Sequence, residues 1–182
     1  MTTPQSNIRT CPTKAAMRKS LFSLLVLAMP FLLEAAPPPA VQVAPMENVG
    51  PRPVEEQTRR CVIRDYLQAW QGLGQALEQN EPDLLEPYFV GLAKDKLAAT
   101  IREQGKIGIH VSYRDRSHNI RVVFYSPEGL SLQLLDDLEY DVEVRTRSGV
   151  VGSQHVCTRY VAVLTPTESK WKVRVFQGGA PS

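Results

Sequence analysis

Residues 130–145 read LSLQLLDDLEYDVEVR, with apolar side chains at even positions and polar ones at odd positions. Leu135 and Asp136 are the exceptions to this pattern. Because side chains of a strand alternate between two faces, the segment predicts a long strand with one apolar and one solvated face. A strand of this length in a small domain must bend, so a β-bulge is expected near residues 134–137.

Shorter alternating runs predict the other strands of an antiparallel sheet, at residues 107–111, 120–124, 156–164 and 171–176. Before the sheet, apolar residues recur every three or four positions, which is typical of helices. A helix of about 24 residues is expected from Pro53, a short one that restarts at residues 80–83 and runs through Leu85 to Tyr88, and a third over residues 91–104. The sequence thus predicts an α+β domain over residues 53–177, with three N-terminal helices packed on a strongly curved antiparallel sheet, and a tail at residues 178–182.

The segment before the domain has the features of an export signal. Met17-Arg18-Lys19 precedes an apolar run over residues 21–33, broken by Ser23 and Pro30. A short basic stretch followed by an apolar core predicts a signal peptide over residues 17–36 and a periplasmic or secreted domain. The alternative is an uncleaved anchor in the inner membrane at residues 20–36, although the core is shorter than the roughly 20 residues that span a bilayer. Residues 1–16 are interpreted as a dispensable extension or a mis-assigned start, and the proline-rich residues 37–52 as a linker.

Charge and motif content exclude several classes of function. The whole chain has a net charge of +2, and residues 1–36 hold four basic residues and Glu34, which leaves −1 for residues 37–182. A near-neutral domain is not expected to bind nucleic acid, which requires clustered positive charge. No phosphate-binding loop is present, and His110, His118 and His155 lack metal-ligand spacing. No cofactor or metal is predicted, and these histidines are interpreted as solvated or hydrogen-bonded.

Cys61 and Cys157 are an even pair within the exported part of the chain. Disulfides persist outside the cytoplasm, so a bridge between the first helix and a late strand is one interpretation. Two buried free thiols that pack as small apolar groups are the other.

Asp136 is the strongest catalytic candidate. Unbroken alternation with Leu134 and Leu138 places its carboxylate on the apolar face, where it could act as a general base. A bulge at residues 135–137 would instead turn Asp136 to solvent. Aromatic residues could line a pocket beside it or simply pack in the core. They are Tyr66, Trp70, Tyr88, Phe89, Tyr140 and Tyr160.

Two motifs carry a resemblance to a known superfamily: Tyr66-Leu67-Gln68-Ala69-Trp70-Gln71 and Arg159-Tyr160-Val161-Ala162-Val163-Leu164, the latter followed by Trp171-Lys172-Val173. With the order of helices and strands, they resemble the nuclear transport factor two-like superfamily, and within it the intermembrane-space domain of plastid-division proteins. The resemblance implies a cone, with the long helix lying across a curved sheet. That superfamily includes isomerases, dehydratases and polyketide cyclases, together with members that only bind ligands or proteins.

The leading hypothesis is therefore an exported, non-catalytic module that binds a protein or a small hydrophobic ligand, with a homodimer formed through the sheet. The alternative is a small-molecule isomerase or dehydratase that uses Asp136 with Tyr140 or Tyr66. A deep cavity with Asp136 buried beside a tyrosine hydroxyl favours the enzyme. A cone filled by Trp70 and leucines favours the binding module.

Overall fold

The long alternating segment forms the central strand β3, Leu132–Thr146, of a five-stranded sheet. The computed structural model describes residues 37–46 and 50–179. The strands lie in chain order across the sheet, β1 to β5. The other four are β1 Ala40–Val43, β2 His110–Tyr125, β4 Gly149–Pro166 and β5 Trp171–Gly179. The two short runs predicted at residues 107–111 and 120–124 are thus parts of one strand.

The sheet is mixed, so the prediction of a purely antiparallel sheet is wrong at one edge. β1 pairs in parallel with β2, from Ala40 opposite Ser117 to Val43 opposite Ile120. The prolines of the predicted 37–52 linker flank this strand and do not interrupt it, so its N–H groups remain available. Part of the predicted linker is therefore built into the sheet.

Among the described residues, two α-helices precede β2, and the prediction of three helices is not confirmed. They are α1, Glu56–Gln79, and α2, Gly91–Lys106. Between them a single 3₁₀ helix covers Pro82–Leu85. The predicted short helix contained Pro87, which has no N–H to continue a helical hydrogen-bond ladder.

The β-bulges next to the middle of β3 lie on its neighbour β2 and not on β3 itself. β3 keeps an unbroken register with β4 from Leu132 to Val144, so the bulge predicted near residues 134–137 is absent. The register shifts on β2 instead, at Arg116 and at Val123. Each extra residue exchanges the two faces of β2 beyond it, because side chains alternate along a strand.

The core lies between α1 and one face of the sheet, which we call the inner face. Its buried side chains include Val62, Tyr66, Ala69, Trp70, Leu73 and Leu77 of α1 and Leu132, Leu134 and Leu138 of β3. The helical spacing on α1 and the even-numbered spacing on β3 are those expected from the sequence.

The predicted bridge between Cys61 and Cys157 is wrong, because Cys61 is a free thiol. Cys61 belongs to α1 and lies beside Pro166 and Trp171, on the inner side of the sheet. Cys157 belongs to β4, where it lies opposite Glu139 of β3, and it is on the other, outer face of the sheet. The sheet therefore separates the two sulfur atoms.

Gly72 is required by a close contact between α1 and Tyr88. A Cβ atom at Gly72 would lie 2.4 Å from the Tyr88 ring, whereas one at Gly74 would meet nothing within 4 Å. We expect Gly72→Ala to lower the free energy of unfolding by about 1–3 kcal/mol through overpacking. Gly74→Ala, the matched control, should raise it by about 0.5–1 kcal/mol through helix propensity. Urea unfolding of both variants measures this difference, and equal effects would contradict the close packing.

Within the described ranges, neither α-helix is long and apolar enough to cross a membrane. The predicted extension, signal peptide and anchor, residues 1–36, lie outside these ranges.

Candidate functional site

A chain of polar contacts crosses the core from α1 to β2. Trp70 Nε1–H donates to Tyr66 Oη at 2.9 Å, and the Tyr66 hydroxyl donates to Asp136 Oδ2 at 3.0 Å. His118 Nδ1 lies 2.6 Å from the same carboxylate oxygen. On the other side of the imidazole, Asp115 Oδ2 lies 3.8 Å from Nε2, an ion-pair distance. The imidazole is thus held between two carboxylates.

Asp136 reaches this chain because the alternation along β3 is unbroken. It lies between Ile120 of β2 and Tyr160 of β4, and its side chain is 0% exposed. On α1, Tyr66 and Trp70 are four residues apart, so both point to the same face of the helix. The sequence alternative that turned Asp136 to solvent is therefore wrong.

The bulge at Arg116 brings Asp115 and His118 together. Residues three apart in a regular strand point to opposite faces. The extra residue at Arg116 sets Asp115 opposite Tyr140 and His118 opposite Leu138, both inner-face residues. Sequence reasoning missed both side chains. A signal existed for His118, which is in phase with the buried Ile120, whereas the bulge hid Asp115.

His118 is a charged group in a buried setting. Its side chain is 1% exposed. Burial lowers its pKa, but the carboxylates of Asp115 and Asp136 outweigh that effect and raise the pKa to about 9. Burial and the charge of Asp136 raise the pKa of Tyr66 well above its ordinary value, so its hydroxyl stays a donor. Near neutral pH the chain therefore contains an imidazolium and a neutral phenol.

Trp70 occupies the middle of the cone and is surrounded by rings. The nearest centroid is that of Tyr160, at 5.0 Å. The others are Phe176 at 5.4 Å, Tyr140 and His118 at 6.0 Å, and Tyr113 at 6.2 Å. Four of these five contacts are edge-to-face and the fifth, with Tyr140, is tilted; edge-to-face packing is a favoured arrangement of aromatic pairs. This space is filled by side chains.

Four of the six aromatic residues proposed to line a pocket meet here: Tyr66, Trp70, Tyr140 and Tyr160. Phe89 is fully buried against Phe176, farther along the core. Tyr88 lies outside the cluster, with Lys170 Nζ 4.6 Å from its ring centroid. Sequence reasoning missed Tyr113 and Phe176, because it did not extend alternation through the bulges of β2 and β5.

The other two histidines do not join the chain. His110 Nδ1 lies 2.8 Å from the Glu78 carbonyl oxygen, and His155 Nδ1 lies 3.0 Å from Asp141 Oδ1 on the outer face. In the described part of the protein, no group of three His, Cys, Asp or Glu side chains has the geometry to hold a metal ion.

Comparison with known proteins identifies the fold. The intermembrane space region of chloroplast protein ARC6 has 13% identity and a TM-score of 0.57, over 72% of this chain and 100% of its own. A scytalone dehydratase-like protein from Novosphingobium aromaticivorans has 14% identity and a TM-score of 0.52, over 70% of this chain and 89% of its own. A Nostoc punctiforme protein with a cystatin-like fold has 11% identity and a TM-score of 0.42, over 69% and 92%.

This chain has the nuclear transport factor two-like, or cystatin-like, fold. No protein-family model and no curated protein matches its sequence. Fold similarity at these identities does not specify an activity, so the chemistry must be judged from the residues.

The polar chain of this protein contains the groups that proton transfer needs: a carboxylate, an imidazolium and a phenol. Among the described residues, Oδ1 of Asp115 and Oδ1 of Asp136 accept no hydrogen bond. A reaction also requires a substrate within hydrogen-bond reach of these groups. Trp70, which is 3% exposed, fills the space beside these groups and packs against the Tyr140 and Tyr160 rings.

Proposed function

We propose that this protein is a non-catalytic binding module exported to the cell envelope. The observation that supports it best is the filled cone: Trp70 packs against the Tyr140 and Tyr160 rings and donates to Tyr66, and the Asp136 carboxylate and the His118 imidazole are enclosed in the core. A buried polar chain, most of whose groups are hydrogen-bonded to one another, can rigidify a fold without acting on a substrate.

Export rests on the basic and apolar pattern of residues 17–36. An envelope location agrees with one similar structure, the intermembrane space region of a chloroplast protein. Recovery of the protein in the cytoplasmic fraction would refute this part of the proposal.

The partner that fits a filled cone is a protein bound at the outer surface. A small hydrophobic ligand inside the cone would first have to displace Trp70 from its hydrogen bond with Tyr66, which lies 2.9 Å away. We therefore favour a protein partner.

A small-molecule dehydratase or isomerase is the second candidate function. It is favoured by the complete burial of Asp136 between the Tyr66 hydroxyl and the His118 imidazole. One similar structure is named for a dehydratase. In such an enzyme, Asp136 would take a proton from the substrate and His118 would return one, after Trp70 had moved aside.

Accessibility of Trp70 separates the two functions. Trp171→Phe leaves Trp70 as the single tryptophan of the chain. We expect its fluorescence to be nearly insensitive to acrylamide and unchanged by planar apolar ligands, because it is buried among rings. Trp70→Phe is the matched control, since the half-buried Trp171 should be quenched readily. Saturable quenching of Trp70 by a planar ligand would favour the enzyme.

A further inference from the structure

One stretch of β4 lacks a neighbouring strand on one side. β5 pairs with β4 only from Arg159 to Pro166. The preceding residues Gly149–Val156, which we call the β4 edge, pair with β3 alone among the described residues. Backbone N–H and C=O groups point alternately to the two sides of a strand, so the β4 edge presents unpaired donors and acceptors along its open side.

The side chains of the β4 edge do nothing to prevent another strand from pairing there. Its sequence, GVVGSQHV, contains no Lys, Arg, Asp, Glu or Pro. Val150 and Val151 are 58% and 60% exposed. A single bulge, at Val151, leaves residues 152–156 regular. Sheet edges in monomeric proteins usually carry charges, prolines or several irregularities that block strand addition.

The other edges of the same sheet do carry such protection. β1 covers the middle of β2, and Arg114, Arg116 and Arg121 lie on the uncovered parts. The open side of β5 is covered at Val173, whose N–H donates to the Tyr88 carbonyl oxygen at 2.8 Å. Lys172 and Arg174 flank that contact. The β4 edge is therefore different in kind from the other edges that the structure describes.

We propose that a second copy of this chain pairs with the β4 edge, antiparallel and about a two-fold axis, and joins the two sheets into one. Self-pairing suits this edge because neither copy brings a charged side chain to the contact. The unpaired stretches of the two copies also match in length. In each copy the unpaired stretch ends where β5 begins to pair with β4, at Arg159 opposite Gly179.

The ends of the two strands fit this arrangement. Antiparallel pairing places the β3–β4 hairpin tip of one copy beside the end of β5 in the other. That end consists of Gly178 and Gly179, which have no side chains to obstruct the approach. Val150 and Val151 at the tip would be covered there, which removes exposed apolar area from water.

The test compares two variants of the full chain in a mild detergent that keeps residues 17–36 soluble. Ser153→Lys with Gln154→Lys puts positive charges on both faces of the exposed β4 edge, so that two copies repel each other. Gln75→Lys with Gln79→Lys adds the same charge at exposed positions of α1. In sedimentation velocity we expect dimers of the wild-type chain and of the α1 variant, and monomers of the β4 variant.

Hydrogen exchange at the backbone amides of residues 152–156 shows where the contact lies. Dilution of the wild-type chain should increase their exchange rate, because pairing across the edge protects them. A wild-type chain that is monomeric up to about 100 µM overturns the proposal. So does a dimer that survives in the β4 variant with no change in these amides, which would show that the contact lies elsewhere on the chain.

Discussion

Replacing Asp136 with asparagine is expected to lower the free energy of unfolding by about 3 kcal/mol, the largest effect of any single polar substitution in the core. The carboxylate accepts hydrogen bonds from the Tyr66 hydroxyl and from His118, and it is completely buried. Its loss leaves the His118 imidazolium with the more distant Asp115, 3.8 Å away. Urea unfolding near neutral pH measures the change.

The neighbouring residue provides the control. Asp137 points to the outer face, is 41% exposed and pairs with Arg159 through Oδ1 at 2.6 Å. Exposed ion pairs contribute little, so Asp137→Asn should cost about 1 kcal/mol or less. Similar losses for the two variants would show that Asp136 is not the centre of a buried charge network.

The contrast between these adjacent aspartates shows how far alternation alone can predict the site. The even position of Asp136 placed it on the apolar face, and the structure agrees because β3 keeps its register there. The same rule, continued from Ile120 to His118, would have found the imidazole. It could not find Asp115, because the bulge at Arg116 depends on how β2 fits against β3. That fit is a tertiary property, which the local sequence does not encode.

The fold shows the same limit. The apolar spacing of α1 and α2 and the alternation of β3 predicted those elements near their observed bounds. Local pattern did not indicate β1, whose Ala40–Val43 is short and lies between prolines. It becomes a strand because the edge of β2 supplies partners, such as the Ile120 carbonyl oxygen that accepts from the Ala44 N–H at 2.9 Å. Such partners are distant in sequence, so propensity alone does not reveal them.

The stability of the protein is expected to fall as the pH rises from about 6 to about 10, because His118 loses its proton. In the folded state the pKa of His118 is about 9, above its ordinary value of 6.5. The folded state therefore binds this proton more tightly than the unfolded chain does. The resulting stabilisation is present in full below pH 6.5, decreases between 6.5 and 9, and is absent above 9. At about 1.4 kcal/mol for each pKa unit, the difference between 6.5 and 9 amounts to about 3–4 kcal/mol.

Urea unfolding across this pH range should reveal the decrease, and two histidine variants test its origin. His118→Gln removes the titrating group, so the free energy of unfolding should be lower at pH 6 and should vary much less with pH. His155→Gln removes an imidazole on the outer face, 3.0 Å from Asp141, and should retain the wild-type slope. If His155→Gln flattened the profile and His118→Gln did not, the titrating group would lie outside the core. The imidazole of His118 would then be neutral, and its contact with Asp136 would be a hydrogen bond and not an ion pair.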